Sequence, residues 1–129
     1  MTKHIHATDL PEQQGATENF TGTTYIQYIV KADSGPSLVG RVTFEKGART
    51  VWHKHSGEQI LYFLEGHGRV QLKGHEVVNA NPGDVVYIPA NTEHWHGAHP
   101  DENNHMCHLA ITYGDVTWLE PVTEEVYRS

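Results

Sequence analysis

One cysteine, Cys107, stands in a chain of 129 residues, so no internal disulfide can form, and a reducing cytosol is the expected setting. Basic residues are scarce: nine Lys and Arg against sixteen Asp and Glu leave a formal charge of -7. A surface of that sign does not track phosphates, which argues against nucleic-acid binding. Long hydrophobic runs are missing too. No stretch approaches the roughly eighteen apolar residues of a membrane span, and the opening MTKHIHATDLPEQQ lacks the apolar centre of a secretion signal. Disorder is excluded from the other side, because 37% hydrophobic residues plus twelve glycines is ordinary for one packed domain. What the chain has in excess is histidine: eleven, nine of them between His53 and His108.

Residues 1–23 are polar and carry Pro11, Gly15 and Gly22, which reads as an arm. From Thr24 the chain breaks into short runs rich in Val, Ile, Tyr, Phe and Thr at 24–30, 37–45, 48–54, 59–64, 68–73, 75–79, 84–88, 93–96, 105–113 and 115–118. That spacing predicts an all-β sandwich or barrel over 24–120. Turn chemistry separates the runs. Asn81-Pro82-Gly83-Asp84 puts Pro and Gly where a type II turn needs them, and Lys73-Gly74 and Glu65-Gly66-His67-Gly68 read as hairpin connections. In the tail, 121–129, Thr123 followed by Glu124 and Glu125 predicts a short, peripheral helix with Thr as N-cap.

Alternation assigns faces. His53 and His55 lie two apart on a strand, so both rings leave one face, and Gln59 re-enters after the Ser56-Gly57 turn with an oxygen donor. His94 and His96 repeat the spacing far downstream. Neutral imidazoles with an oxygen donor suit a divalent first-row metal; a helical site would need histidines four apart. Glu58 falls on the opposite face from Gln59. Trp52, Trp95 and Cys107 likewise face away from the ligands, and the tryptophans are expected between sheets or between subunits.

The stretch GARTVWHKHSGEQILYFLEG resembles the first cupin motif, with Gly47, His53, His55, Gln59 and Gly66 in place, and GDVVYIPANTEHWHGA resembles the second, with Gly83, Pro89 and His94. Three positions depart: Gln59 stands where glutamate is usual, Asn91 where glycine is usual, and Ala98 where asparagine is usual. The resemblance implies an all-β cupin jelly-roll barrel, the double-stranded β-helix. It also implies one divalent metal per chain, manganese favoured and iron, nickel or zinc possible, on His53, His55, Gln59 and His94. Over nearly the whole chain the sequence is similar to the small bacterial cupins that include the manganese-dependent hydroxynitrile lyases. The segments carrying that likeness are FTGT, VTFEKGARTVWHKH, PGDVV, HWHGA and VTEEVYR.

A neutral ligand set keeps the full charge of the metal and favours non-redox chemistry at a substrate oxygen. His96 and His108 are the catalytic candidates: His96 either takes a proton from substrate or orients a neighbour, and the same alternatives stand for His108. Gly40, Val42, Leu61, Phe63, Ala110 and Thr112 either wall a substrate pocket or pack as plain core. Three functions fit: a lyase acting on a small hydroxy compound such as a cyanohydrin, a cupin dioxygenase, or a metal-binding domain without catalysis. The partner expected is a small molecule, with neither nucleic acid nor membrane. Ile60, Tyr62 and Leu64 form an outer apolar stripe. It predicts a homodimer or homotetramer, unless Phe20 and Tyr25 of the arm fold over it.

Overall fold

The computed structural model describes residues 2–129. After a single 3-10 turn at Ala7–Asp9, thirteen strands follow one another among the described residues: β1 (Gln13–Gln14), β2 (Phe20–Thr21), β3 (Thr24–Val30), β4 (Leu38–Phe44), β5 (Arg49–Thr50), β6 (His53–His55), β7 (Gln59–Glu65), β8 (Gly68–Leu72), β9 (Val78–Ala80), β10 (Val85–Ile88), β11 (His94–Ala98), β12 (Met106–Thr112) and β13 (Val116–Trp118), with one α-helix, α1 (Glu124–Arg128), at the end. One antiparallel sheet runs β1-β3-β4-β12-β7-β10. The other runs β13-β6-β11-β5-β2, with β8 also pairing β11 and β9 pairing β8. The fold is an all-β jelly roll, as expected, and its inner faces meet in one core that includes Phe44, Leu61, Phe63, Val70, Ile88 and Met106.

The local turn chemistry holds at two positions that need it. Gly83 has φ +93 and the Asp84 amide donates to the Asn81 carbonyl at 2.9 Å, a type II turn with glycine at its third residue. Asn91 has φ 58, the left-handed backbone that asparagine accepts better than most residues.

Four expectations change. The run 48–54 is two strands, because the backbone changes partners between them: the Val51 amide donates to Asn19 and the Trp52 amide to Glu120. The run 75–79 starts later, at Val78, because His75 closes a turn onto Leu72. The arm is not free of the barrel. β1 pairs with β3 and β2 with β5, and Phe20 enters the core rather than covering the outer stripe. The tail is not peripheral either. α1 carries its Thr123 cap, whose hydroxyl accepts from the Val126 amide, yet it buries Tyr127 against Trp95 and Val122 in a second apolar cluster, with Trp52 packed against it. Trp95 is therefore covered by Val122 and Tyr127 of the tail.

Candidate metal centre

The register of the sheets brings the histidines together. His94 on β11 is the direct cross-strand partner of His53 on β6, so their rings project side by side, 4.2 Å apart at the centroids. The two-residue spacing within each strand adds His55 and His96 on the same side; the His55 ring lies 5.1 Å from that of His53 and 5.4 Å from that of His94. Ser56-Gly57 then carries the chain from the second sheet to the first, where β7 opens with Gln59. Its Oε1 lies 3.2 Å from His94 Nε2. All of these side chains are buried.

Backbone carbonyls set the protonation of two rings. His53 Nδ1 lies 2.9 Å from the Val51 carbonyl and His94 Nδ1 2.8 Å from the Thr92 carbonyl. A carbonyl only accepts, so Nδ1 carries the proton in both and Nε2 keeps its lone pair, the arrangement that metal-binding histidines use. Burial keeps the rings neutral: it holds His55, His94 and His108 down at about 4, and depresses His53 and His96 well below the ordinary value. Repulsion among the clustered rings adds to the burial for His53 and His96.

The tightest trio of donors is His53, His94 and His96, with one nitrogen from each within 4.8 Å of the others. The sequence places His55 and Gln59 in the ligand set and His96 beside it; in the fold His96 groups with His53 and His94, while His55 adjoins through its ring contacts with those two and Gln59 through its contact with His94. His96 Nδ1 is 3.0 Å from His108 Nε2, which leaves His96 Nε2 buried without a hydrogen-bond partner among the described residues. A buried nitrogen left unpaired is costly, and a cation or a substrate hydroxyl at the centre would relieve it. The donors present thus fit a divalent metal. Gln59 supplies neutral oxygen, and Glu58 is out of reach, its carboxylate accepting from the Tyr87 hydroxyl on the outer side.

The centre opens into a cavity of about 420 Å³. Gly40, Val42, Ala110 and Thr112 line it, whereas Leu61 and Phe63 are fully covered in the core and do not. Sequence reasoning did not assign the other wall residues to the cavity. Phe20 and Asn19 come from the arm, Ile26 and Tyr28 from β3, Thr50 from β5 and Trp118 from β13. Phe20 and Thr50 lie in stretches that carry the family likeness, FTGT and VTFEKGARTVWHKH. Among the described residues no Asp, Glu, Lys or Arg lines the cavity. Cys107 is buried away from it, and burial pushes its thiol up.

A double-sheet barrel with imidazoles clustered and buried inside it defines a class of small proteins built to hold a metal. The cupin domain pattern matches residues 40–112, and the chain belongs to the cupin family. It is 43% identical over 121 residues to an (R)-mandelonitrile lyase of Granulicella tundricola, covering 89% of this chain and 90% of that one. It is also 29% identical over 100 residues to an acireductone dioxygenase of Nocardia farcinica, covering 74% of this chain and 51% of the relative. A solved cupin-like protein from Thermotoga maritima shares 42% identity and a TM-score of 0.83 over 89% of this chain and 90% of its own.

Proposed function

We propose that the protein is a metal-dependent lyase that splits a small, neutral hydroxy compound of the cyanohydrin type. One observation carries the reading. The Nε2 of His96 has no hydrogen-bond partner among the described residues and sits on a ring that groups with those of His53 and His94, and the cavity that His96 lines has no carboxylate or cationic side chain in its wall. Such a wall suits an uncharged substrate and leaves histidine as the available base. The likeness to a mandelonitrile lyase over most of both chains supports the same choice.

A divalent ion on His53, His55, Gln59 and His94, with manganese the first candidate, would act as a Lewis acid at the substrate hydroxyl oxygen and lower its pKa. The proton goes to His96. In the tautomer in which His96 Nδ1 donates to His108 Nε2, 3.0 Å away, Nε2 of His96 keeps its lone pair, the form a base requires. As the hydroxyl proton moves to Nε2, the carbinol C–O becomes a carbonyl. The bond to the nitrile carbon breaks, and its electron pair leaves with cyanide. The proton on Nε2 then passes to cyanide, so the products are an aldehyde and hydrogen cyanide, and His96 ends neutral. Phe20, Ile26, Val42 and Trp118 offer the apolar side of the cavity to the rest of the substrate.

Protein loaded with Mn²⁺ and given mandelonitrile should release benzaldehyde at the same rate with and without oxygen. No release above a His53→Ala control would sink the proposal. The likeness to an acireductone dioxygenase favours a second reading, oxygen insertion at the same centre, and oxygen uptake with an enediol or diketone substrate would select it.

A further inference from the structure

Gln59 is an unusual donor because its two ends differ. The amide oxygen has lone pairs for a cation, whereas the NH₂ group has none to give and repels one through its hydrogens. A carboxylate at the same place would coordinate from either oxygen. An amide ligand therefore works only if something holds it the right way round. Gln59 Nε2 donates to Thr112 Oγ1 at 2.9 Å, in a buried bond that leaves Oε1 on the side of His94. Resting on the metal-centre reading above, we infer that Thr112 is the positioning residue that makes Gln59 usable as a ligand.

The fold holds Thr112 firmly in that role. Thr112 and Gln59 are direct cross-strand partners on β12 and β7. The Thr112 carbonyl accepts both the Ser37 amide, at 2.8 Å, and the Ser37 hydroxyl, at 2.9 Å, so its backbone is fixed at the strand end. Its β-branched side chain has few χ1 rotamers to choose from. Without an acceptor at position 112 the Gln59 NH₂ group would be left buried and unpaired, a state the amide escapes by rotating away. Because a hydroxyl can donate as readily as it accepts, Thr112 also suits a carboxylate at position 59, whose two oxygens make no such demand on it.

Calorimetric titration of Mn²⁺ into metal-free protein, with the Mn²⁺ EPR spectrum as a second readout, tests this without any turnover. Thr112→Val, close in shape but without the oxygen, should weaken Mn²⁺ binding by about tenfold or more, and Thr112→Ser should restore it. In a Gln59→Glu background, Thr112→Val should change affinity by no more than about threefold, because the coupling between the two positions is gone. Unchanged affinity in Thr112→Val overturns the inference. So does an equal loss in the serine variant, which would mark a packing role, or an equal loss in both backgrounds. Wild-type protein that takes up none of Mn²⁺, Fe²⁺, Ni²⁺ and Zn²⁺ overturns the metal-centre reading itself, and this one with it.

Discussion

His96 and His108 form a buried pair whose rings meet edge to face, 4.8 Å between centroids, and Phe44 and Phe63 pack on His108. That packing gives His108 a fixed position from which to orient His96. His96→Ala is expected to lower lyase turnover by about 10²- to 10⁴-fold, the usual worth of a positioned base, with metal content by elemental analysis unchanged. Equal turnover, or loss of the metal, would remove His96 from the role of base. The neutral rings also tie stability to pH. In the unfolded chain each histidine protonates near 6.5, but in the fold burial delays His55, His94 and His108 to about 4. Between those values the unfolded chain binds more protons, so stability falls as pH drops through 6.5 toward 4 and is flat above 7. Metal-free protein in a scanning calorimeter should lose at least ~5 °C of Tm between pH 7 and pH 5. An unchanged Tm would mean that the rings are not buried and neutral.

Among the elements, α1 does more for the barrel than its five residues suggest. The Arg49 guanidinium lies 4.3 Å over the Tyr127 ring and donates to the Val122 carbonyl and the Glu124 carboxylate. Arg69 holds the chain end by donating to the Tyr127 and Ser129 carbonyls, and the Tyr127 hydroxyl donates to the Ala98 carbonyl. Tyr127→Ala removes a fully buried ring beside Trp95, so it should cost about 3–5 kcal/mol in urea unfolding, whereas Thr123→Ala should cost about 1 kcal/mol, the worth of a cap. Similar values for the two variants would contradict this account of the helix. The N-cap was readable because it depends on four neighbouring residues. The helix's destination was not, because Trp95 and Arg49 reach it from strands far away in the chain.

Over the whole molecule, the outer face of the first sheet carries unpartnered apolar rows. Val39, Ile111, Ile60 and Tyr87 align across β4, β12, β7 and β10, and Leu109, Tyr62 and Val85 form the next row. Tyr62, Val85 and Tyr87 are 44%, 57% and 54% exposed. The arm does not cover them, since β1 and β2 dock at the sheet edges and Phe20 turns inward. A second copy of the chain on this face is proposed, with each metal centre inside its own barrel. Light scattering at micromolar concentration should give twice the chain mass, and Tyr62→Lys should shift it toward one. A wild-type mass of 14.5 kDa would refute the dimer.

The sequence by itself determined what neighbouring residues decide: strands of period two, a type II turn at Gly83, the cap at Thr123, and the pairing of His53 with His55 and of His94 with His96 on shared faces. The two motifs also marked Gln59 as a departure from the usual carboxylate. Tertiary structure decided what depends on register and burial between distant segments. It made His94 the cross-strand partner of His53, set Thr112 opposite Gln59, decided between wall and core for Leu61 and Phe63 by burying both in the core, and drew Phe20 into the wall. Local backbone preference reaches only a few residues along the chain, whereas the site is held by pairs such as Gln59 and Thr112, 53 residues apart, which only the closed sheets bring within 2.9 Å.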